Sequence, residues 1–259
     1  MTLEYALIGF VAGLLISFTG MGGGAIVTPL LLASGISPTV AVSTDLVFGA
    51  ITKFIGAAPH VRSRAVDLRV VGWLCCGSVP GSLLAVLVLR VWRTQDASGA
   101  DTLVKHAIAV ILMLVAIITI AQLAISVLAP GRLQPLSRLR VNGRPAPRLL
   151  IPAGAVAGFA VGMTSIGAGT MLMAILLPVW PATAVTLVGT DIAHGAILAS
   201  VAALGHLAIG EVNFTVVGSL LVGSIPGVLI GTQVARRVPS RVLKGAYAAF
   251  LFTIGLRLL

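Results

Sequence analysis

Thr19-Gly20-Met21-Gly22-Gly23-Gly24 and Thr164-Ser165-Ile166-Gly167-Ala168-Gly169 interrupt two apolar runs at matching places of one repeated pattern. Upstream of them Ala12-Gly13 pairs with Ala157-Gly158. Downstream, after a small slip in register, Asp45 pairs with Asp191, Gly49 with Gly195, His60 with His206 and Gly72 with Gly218. Gly77-Ser78-Val79-Pro80-Gly81 then matches Gly223-Ser224-Ile225-Pro226-Gly227. When apolar segments of a membrane protein carry glycine breaks at corresponding positions of two halves, the breaks point to a transport site.

Composition places the chain in a bilayer. Of its 259 residues 58% are hydrophobic and only 9% charged, against about 25% charged in an ordinary soluble domain. Mean hydropathy is +1.11. Stretches of about 20 apolar residues recur, each long enough to cross the hydrocarbon core as a helix. They fill most of the length and leave no room for a soluble domain, so an all-α, polytopic membrane protein is expected. The net charge of +10 sits in short loops between apolar spans, where membrane topology explains it better than a nucleic-acid partner does. Residues 1 to 52 hold no Lys or Arg, so the start lacks the basic region of a signal peptide and the first apolar segment is expected to be retained. The adjacent Cys75 and Cys76 match no metal or redox spacing and read as small core or lipid-facing residues.

Apolar segments fall near 3–18, 24–35, 38–59, 70–89, 104–129, 149–163, 167–180, 183–205, 214–235 and 242–259, five to each half. The first two of each half are short for a span and are expected to be broken or re-entrant. Three units follow: a first repeat over 1–129, a basic linker over 130–148 and a second repeat over 149–259, all within one integral membrane domain. The linker carries Arg132, Arg138, Arg140, Arg144 and Arg148, which the positive-inside rule places in the cytoplasm. The loop with Arg62, Arg64 and Arg69 is basic, whereas its repeat counterpart, Leu207 to Asn213, has no basic residue and one acid. Equivalent loops on opposite faces are the mark of inverted repeats, with both termini outside. Arg90 and Arg93 run against this scheme, since they fall in a loop expected outside, diluted by Asp96 and Asp101.

Glycine permits a non-helical turn, and a helix resuming after it presents unpaired N–H groups at its positive end. Such backbone is tolerated in a membrane only where it is buried in protein or lines a watery cavity. Two facing breaks therefore frame an oxyanion, with Gly20, Gly22, Gly23, Gly24, Gly167 and Gly169 supplying backbone and Thr19, Thr164 and Ser165 supplying hydroxyls. No Gly-Lys-Ser or Gly-Lys-Thr follows, which argues against a nucleotide. Ionisable residues inside spans come next, because burying charge in lipid is costly. Asp45 and Asp191 each follow a threonine, Thr44 and Thr190. Two readings stay open: caps of helices restarted after Pro38 and Pro181, or carriers of a coupling proton. Lys53, two turns beyond Asp45, either attracts an anion or neutralises that aspartate. His194 lies one turn beyond Asp191. His60 and His206 occupy equivalent span ends and are candidates for gating or proton relay, or interface residues held by hydrogen bonds. The Gly-Ser-x-Pro-Gly segments are hinges or close packing points.

Gly20 to Gly24 with Pro29, Ala157 to Gly169, Gly189-Thr190-Asp191 and both Gly-Ser-x-Pro-Gly segments resemble the sulfite exporter (TauE/SafE) family of bacterial membrane transporters. The resemblance spans nearly the whole chain. It implies secondary transport of sulfite, of an organosulfonate such as sulfoacetate, or of a related oxyanion across the bacterial cytoplasmic (inner) membrane. The proton role of Asp45 and Asp191 comes from the residues' own chemistry, not from the resemblance. An enzyme is not expected, since HExxH, GxSxG and Cys/His metal spacings are missing. The rival readings are a proton-coupled carrier of a small organic cation, with both aspartates as counter-charges, and an anion channel lined by the glycine breaks. The expected partners are a small anionic substrate and the lipid bilayer, with a homodimer compatible; no cofactor, metal or nucleic acid is expected.

Overall fold

A computed structural model describes residues 2–19, 24–128, 140–141, 143–209, 212–235 and 240–258. Ten helices make up the described chain: α1 (Thr2–Thr19), α2 (Gly24–Ala33), α3 (Pro38–Arg62), α4 (Leu68–Gln95), α5 (Ala97–Leu128), α6 (Pro147–Thr164), α7 (Ala168–Val179), α8 (Ala184–Leu207), α9 (Phe214–Ala235) and α10 (Ser240–Leu258). A hairpin of two two-residue strands, β1 (Arg140–Val141) and β2 (Arg144–Pro145), precedes α6. Six helices are long and apolar enough to cross a membrane: α3, α4, α5, α6, α8 and α9. The chain is a multi-pass, all-α membrane protein, and the ten apolar segments read from sequence coincide with the ten helices.

Two expectations need correction. Of the first two segments in each half, only α6 is long and apolar enough for a span. α6 reaches 18 residues because Pro147 opens it early, where a missing amide costs nothing. α2 and α7, with 10 and 12 residues, are about 15 and 18 Å long at ~1.5 Å per residue, against a hydrocarbon core of about 30 Å. Arg90 and Arg93 do not lie in a loop either. α4 continues through both to Gln95, because Leu89 keeps a buried face and Arg93 in the last turn suits the negative helix end. Asp96 forms the joint with α5. The Gly99 amide and the Ser98 hydroxyl bond to its carboxylate and hold it below the ordinary carboxylate range.

Packing follows a two-fold scheme. α1 lies against α9 and α4 against α6, each element meeting the partner's equivalent in the other half, while α3 packs on α8 and α5 on α10. The first two contacts are backbone on backbone. In α1, Gly9 and Gly13 sit on the carbonyls of Leu220 and Ser224, and Gly223 and Gly227 of α9 return the contact onto Ala6 and Phe10. In the other half Gly154 and Gly158 of α6 meet Leu74 and Ser78, and Gly77 and Gly81 of α4 meet Ile151 and Ala155. Lipid tails are as apolar as leucine, so close van der Waals approach between small residues replaces the hydrophobic drive available in water. The helices run on through Pro80 and Pro226, so the Gly-Ser-x-Pro-Gly segments are packing points within continuous helices. Outward faces such as Leu83, Leu84, Leu87 and Ile117 stay exposed, as befits a surface that bilayer lipid covers.

Gly77→Ala places a methyl group on the Ile151 carbonyl and is expected to cost about 1–3 kcal/mol. Gly218→Ala, where a Cβ meets open space, is expected to leave stability unchanged. Thermal unfolding of both variants in detergent checks the contrast.

Candidate functional site

Gly24, at the end of the first glycine break, meets the second break in the interior. Ser165, between α6 and α7, adopts the left-handed conformation with φ 61°, and Gly167 caps α7 with φ 117°. Gly24, which opens α2, lies so close to Ser165 that a Cβ there would overlap its backbone carbonyl and come within 3.2 Å of its hydroxyl. Thr164 locks the bend: its hydroxyl donates to the Ala160 carbonyl at 2.8 Å and accepts from the Ile166 amide at 3.2 Å. A hydroxyl expected to face a ligand is thus engaged with its own backbone.

Beside this junction α3 and α8 bring their charged residues together. Neither aspartate is a cap, because α3 starts at Pro38 behind Ser37, and α8 is capped by Thr183, whose side chain accepts from the Thr186 amide. Asp45 and Asp191 lie two turns inside their helices. Asp45 is fully buried and accepts a 2.6 Å hydrogen bond from Thr28 of α2 on Oδ2, with the Ser165 side chain close by. Lys53 lies over Gly195 of α8, where a Cβ would stand 3.2 Å from both its Cδ and its Nζ. Its ammonium is attracted by Asp191 foremost and by Asp45. Although deep in the protein, Lys53 and Ser165 keep some accessible surface. His194, one turn beyond Asp191, shares a 2.8 Å hydrogen bond between Nε2 and the Ser78 hydroxyl.

Three buried atoms of this cluster, Asp45 Oδ1, Asp191 Oδ1 and His194 Nδ1, have no hydrogen-bond partner among the described residues. An unsatisfied buried polar atom costs about 1–3 kcal/mol; Ser82 Oγ and Tyr247 OH, outside this cluster, are unpartnered as well. No group of three His, Cys, Asp or Glu with metal-binding geometry occurs among the described residues.

The remaining expected residues sit apart. His206 bridges the halves: Nε2 donates to the Gly162 carbonyl at 2.8 Å, which leaves Nδ1 to face the Ser43 hydroxyl at 2.7 Å. His60, in the last turn of α3, packs on Gly189 at the opposite end. Gly169 falls in the first turn of α7. Thr19 ends α1, its side chain outside the described part, and Gly20, Gly22 and Gly23 lie outside the described residues. Two more contacts repeat across the halves. The Asn213 amide donates to Thr44 at 3.2 Å and the Asp67 amide to Thr190 at 3.0 Å, each threonine standing next to its aspartate. Sequence reasoning passed over Thr28, Ser78 and Ser43. The one available signal was Thr28's place a helical turn after Gly24, on the element that the break aims inward.

The model of the sulfite exporter TauE/SafE family matches residues 5–258, and the chain belongs to that family. It is 37% identical over 262 residues to "Probable membrane transporter protein YjnA" of Bacillus subtilis (strain 168), covering 100% of both chains. "Probable membrane transporter protein YunE" of the same organism is 21% identical over 97% of this chain and 95% of its own length. "Probable membrane transporter protein YdhB", also from that organism, is 26% identical over 93% of each. No solved structure matches the chain significantly. Family and relatives alike carry the names of membrane transporters rather than enzymes.

His206→Ala strips the partner from the buried Gly162 carbonyl, while the Ser43 hydroxyl keeps the Thr39 carbonyl, and is expected to cost about 1–3 kcal/mol. His60→Ala, at a half-buried helix end, is expected to cost less, and unfolding midpoints of the two purified variants rank them.

Proposed function

We propose that this TauE/SafE family chain is a secondary transporter that moves sulfite or a small organosulfonate across the bacterial cytoplasmic membrane by alternating access, with protons accompanying the anion. The supporting observation is the cluster of Asp45, Lys53, Asp191 and His194 where Gly24 meets the second helix break. Lys53 is the cation that draws the anion in, and Ser165, Gly24 and the exposed amides of the α7 start complete its shell. Fully ionised, two carboxylates against one ammonium leave one negative charge. Adding an anion to that cluster in a poorly polarisable interior is prohibitive unless protons enter with it. Asp45 and Asp191 are the proton acceptors, which makes uptake of anion and proton a single balanced event.

The paired contacts of the halves support inverted repeats over 1–129 and 149–259, rocking about the α3–α8 interface while the linker 130–148 stays cytoplasmic. Thr44–Asn213 and Thr190–Asp67 then serve as latches of the two gates, with His206 and His60 beside them. A second reading, a proton-coupled carrier of a small organic cation, draws on the same excess of carboxylate over ammonium.

Purified protein in liposomes distinguishes the two. Sulfite or sulfoacetate uptake driven by an inward proton gradient is expected, and Lys53→Gln is expected to weaken it about ten- to hundredfold, the ~1.5–3 kcal/mol of a lost charge-assisted hydrogen bond. Asp45→Asn and Asp191→Asn are expected to keep anion binding and lose its pH dependence. A cation carrier behaves the opposite way, losing binding with either asparagine and keeping it with Lys53→Gln.

A further inference from the structure

A second basic feature lies away from the buried cluster, on the outer surface where α4 begins. Arg69, Gly72, Trp73 and Cys76 of α4, with Arg144, Pro145 and Pro147 of the hairpin and α6 start, line a hollow of about 530 Å³. The α4 members recur at intervals of three and four residues, so they form a single stripe down the helix. Every one of them is exposed, Trp73 at 42%, and a Cβ on Gly72 would meet open space. At the loop end the stripe starts with charge, and toward the bilayer it turns apolar.

The charges at the head of this groove are unevenly matched. Arg144 binds the Asp67 carboxylate through Nε, and Asp67 also accepts from the amides of Arg69 and Val70. No hydrogen bond or ion pair occupies the Arg69 guanidinium among the described residues. Two arginines therefore face one aspartate, leaving one positive charge open at the level where a helix leaves the membrane. Arginine forks fit phosphate oxygens, tryptophan favours the headgroup level, and the exposed Gly72 and Cys76 leave a furrow for an acyl chain.

We infer that this groove is a binding site for an anionic phospholipid, its phosphate held by Arg69 and Arg144 and one chain lying along Gly72, Trp73 and Cys76. Bound there, the lipid rests on the Arg144–Asp67 pair. The Asp67 amide in turn holds Thr190, the neighbour of Asp191, so the lipid braces a contact that reaches the buried cluster. The surface arginine of the same helix, Arg90, lies outside the groove and serves as the internal control.

Full-length protein in a neutral detergent, titrated with phosphatidylglycerol and separately with phosphatidylcholine, tests the site by native mass spectrometry and by thermal shift. Phosphatidylglycerol is expected to remain attached and to raise the unfolding midpoint, and phosphatidylcholine to do neither. Arg69→Gln is expected to weaken the anionic lipid about fivefold, as removal of one arginine near a charged membrane surface does. Trp73→Ala is expected to weaken it as well, Arg69→Lys to restore part of the loss, and Arg90→Gln to change nothing. Equal attachment of both lipids, or equal losses for Arg69→Gln and Arg90→Gln, overturns the site. So does stabilisation by inorganic phosphate alone that phosphatidylglycerol cannot exceed, since the groove would then bind a free anion rather than a lipid.

Discussion

Backbone-to-backbone contact between glycine-bearing helices is the constraint on which this molecule rests. Within lipid no hydrophobic force presses one apolar helix against another, so the order of helices follows from how closely their backbones fit. Gly9 and Gly13 against α9, and Gly154 and Gly158 against α4, fix α1 and α6 each to a helix of the opposite half. The helix after each break is then carried inward rather than toward lipid. Gly24 touches Ser165 because α1 and α6 are already anchored to the other half, and the buried charges gather beside that junction.

The cost of this arrangement is carried by hydrogen bonds. α2 and α7 are too short to cross, and within a membrane an unsatisfied amide or carbonyl is expensive. Thr164 meets that demand by closing the bend on itself, and His206 does so at the α6 carbonyl of Gly162. The Thr44 and Thr190 hydroxyls do the same for loop amides of the opposite half. Unpartnered buried atoms remain on Asp45, Asp191 and His194, and also on Ser82 and Tyr247.

Much of the architecture was legible because apolar length and glycine placement are local signals. Gly-Ser-x-Pro-Gly announced a close contact, and the ten segments could be drawn to within a few residues. The ends were less legible: Pro147 at a first turn and Leu89 within a buried face extended helices that charge alone had cut short. Which helix meets which was harder still. These helices are apolar on the protein side and on the lipid side alike, so no polar face tells which direction points inward. Thr28 and Ser78 look like ordinary small residues until α2 and α4 are brought against Asp45 and His194. The caps proposed for Asp45 and Asp191 failed for a simpler reason, since Ser37 and Thr183 already stood at the positions where the helices begin.

The two-fold pattern stops short of part of the buried cluster. Glycines, Thr44 with Thr190, and the two aspartates recur in both halves. In the same registers, however, Lys53 matches Ala199, His194 matches Phe48, Thr28 matches Met173 and Ser165 matches Gly20. Each of these unmatched residues lines the buried cluster. A repeated pattern builds two similar halves, but it leaves the positive charge of this cluster to a residue found in one half alone. Among these departures from the repeat, Lys53 is the one that carries charge.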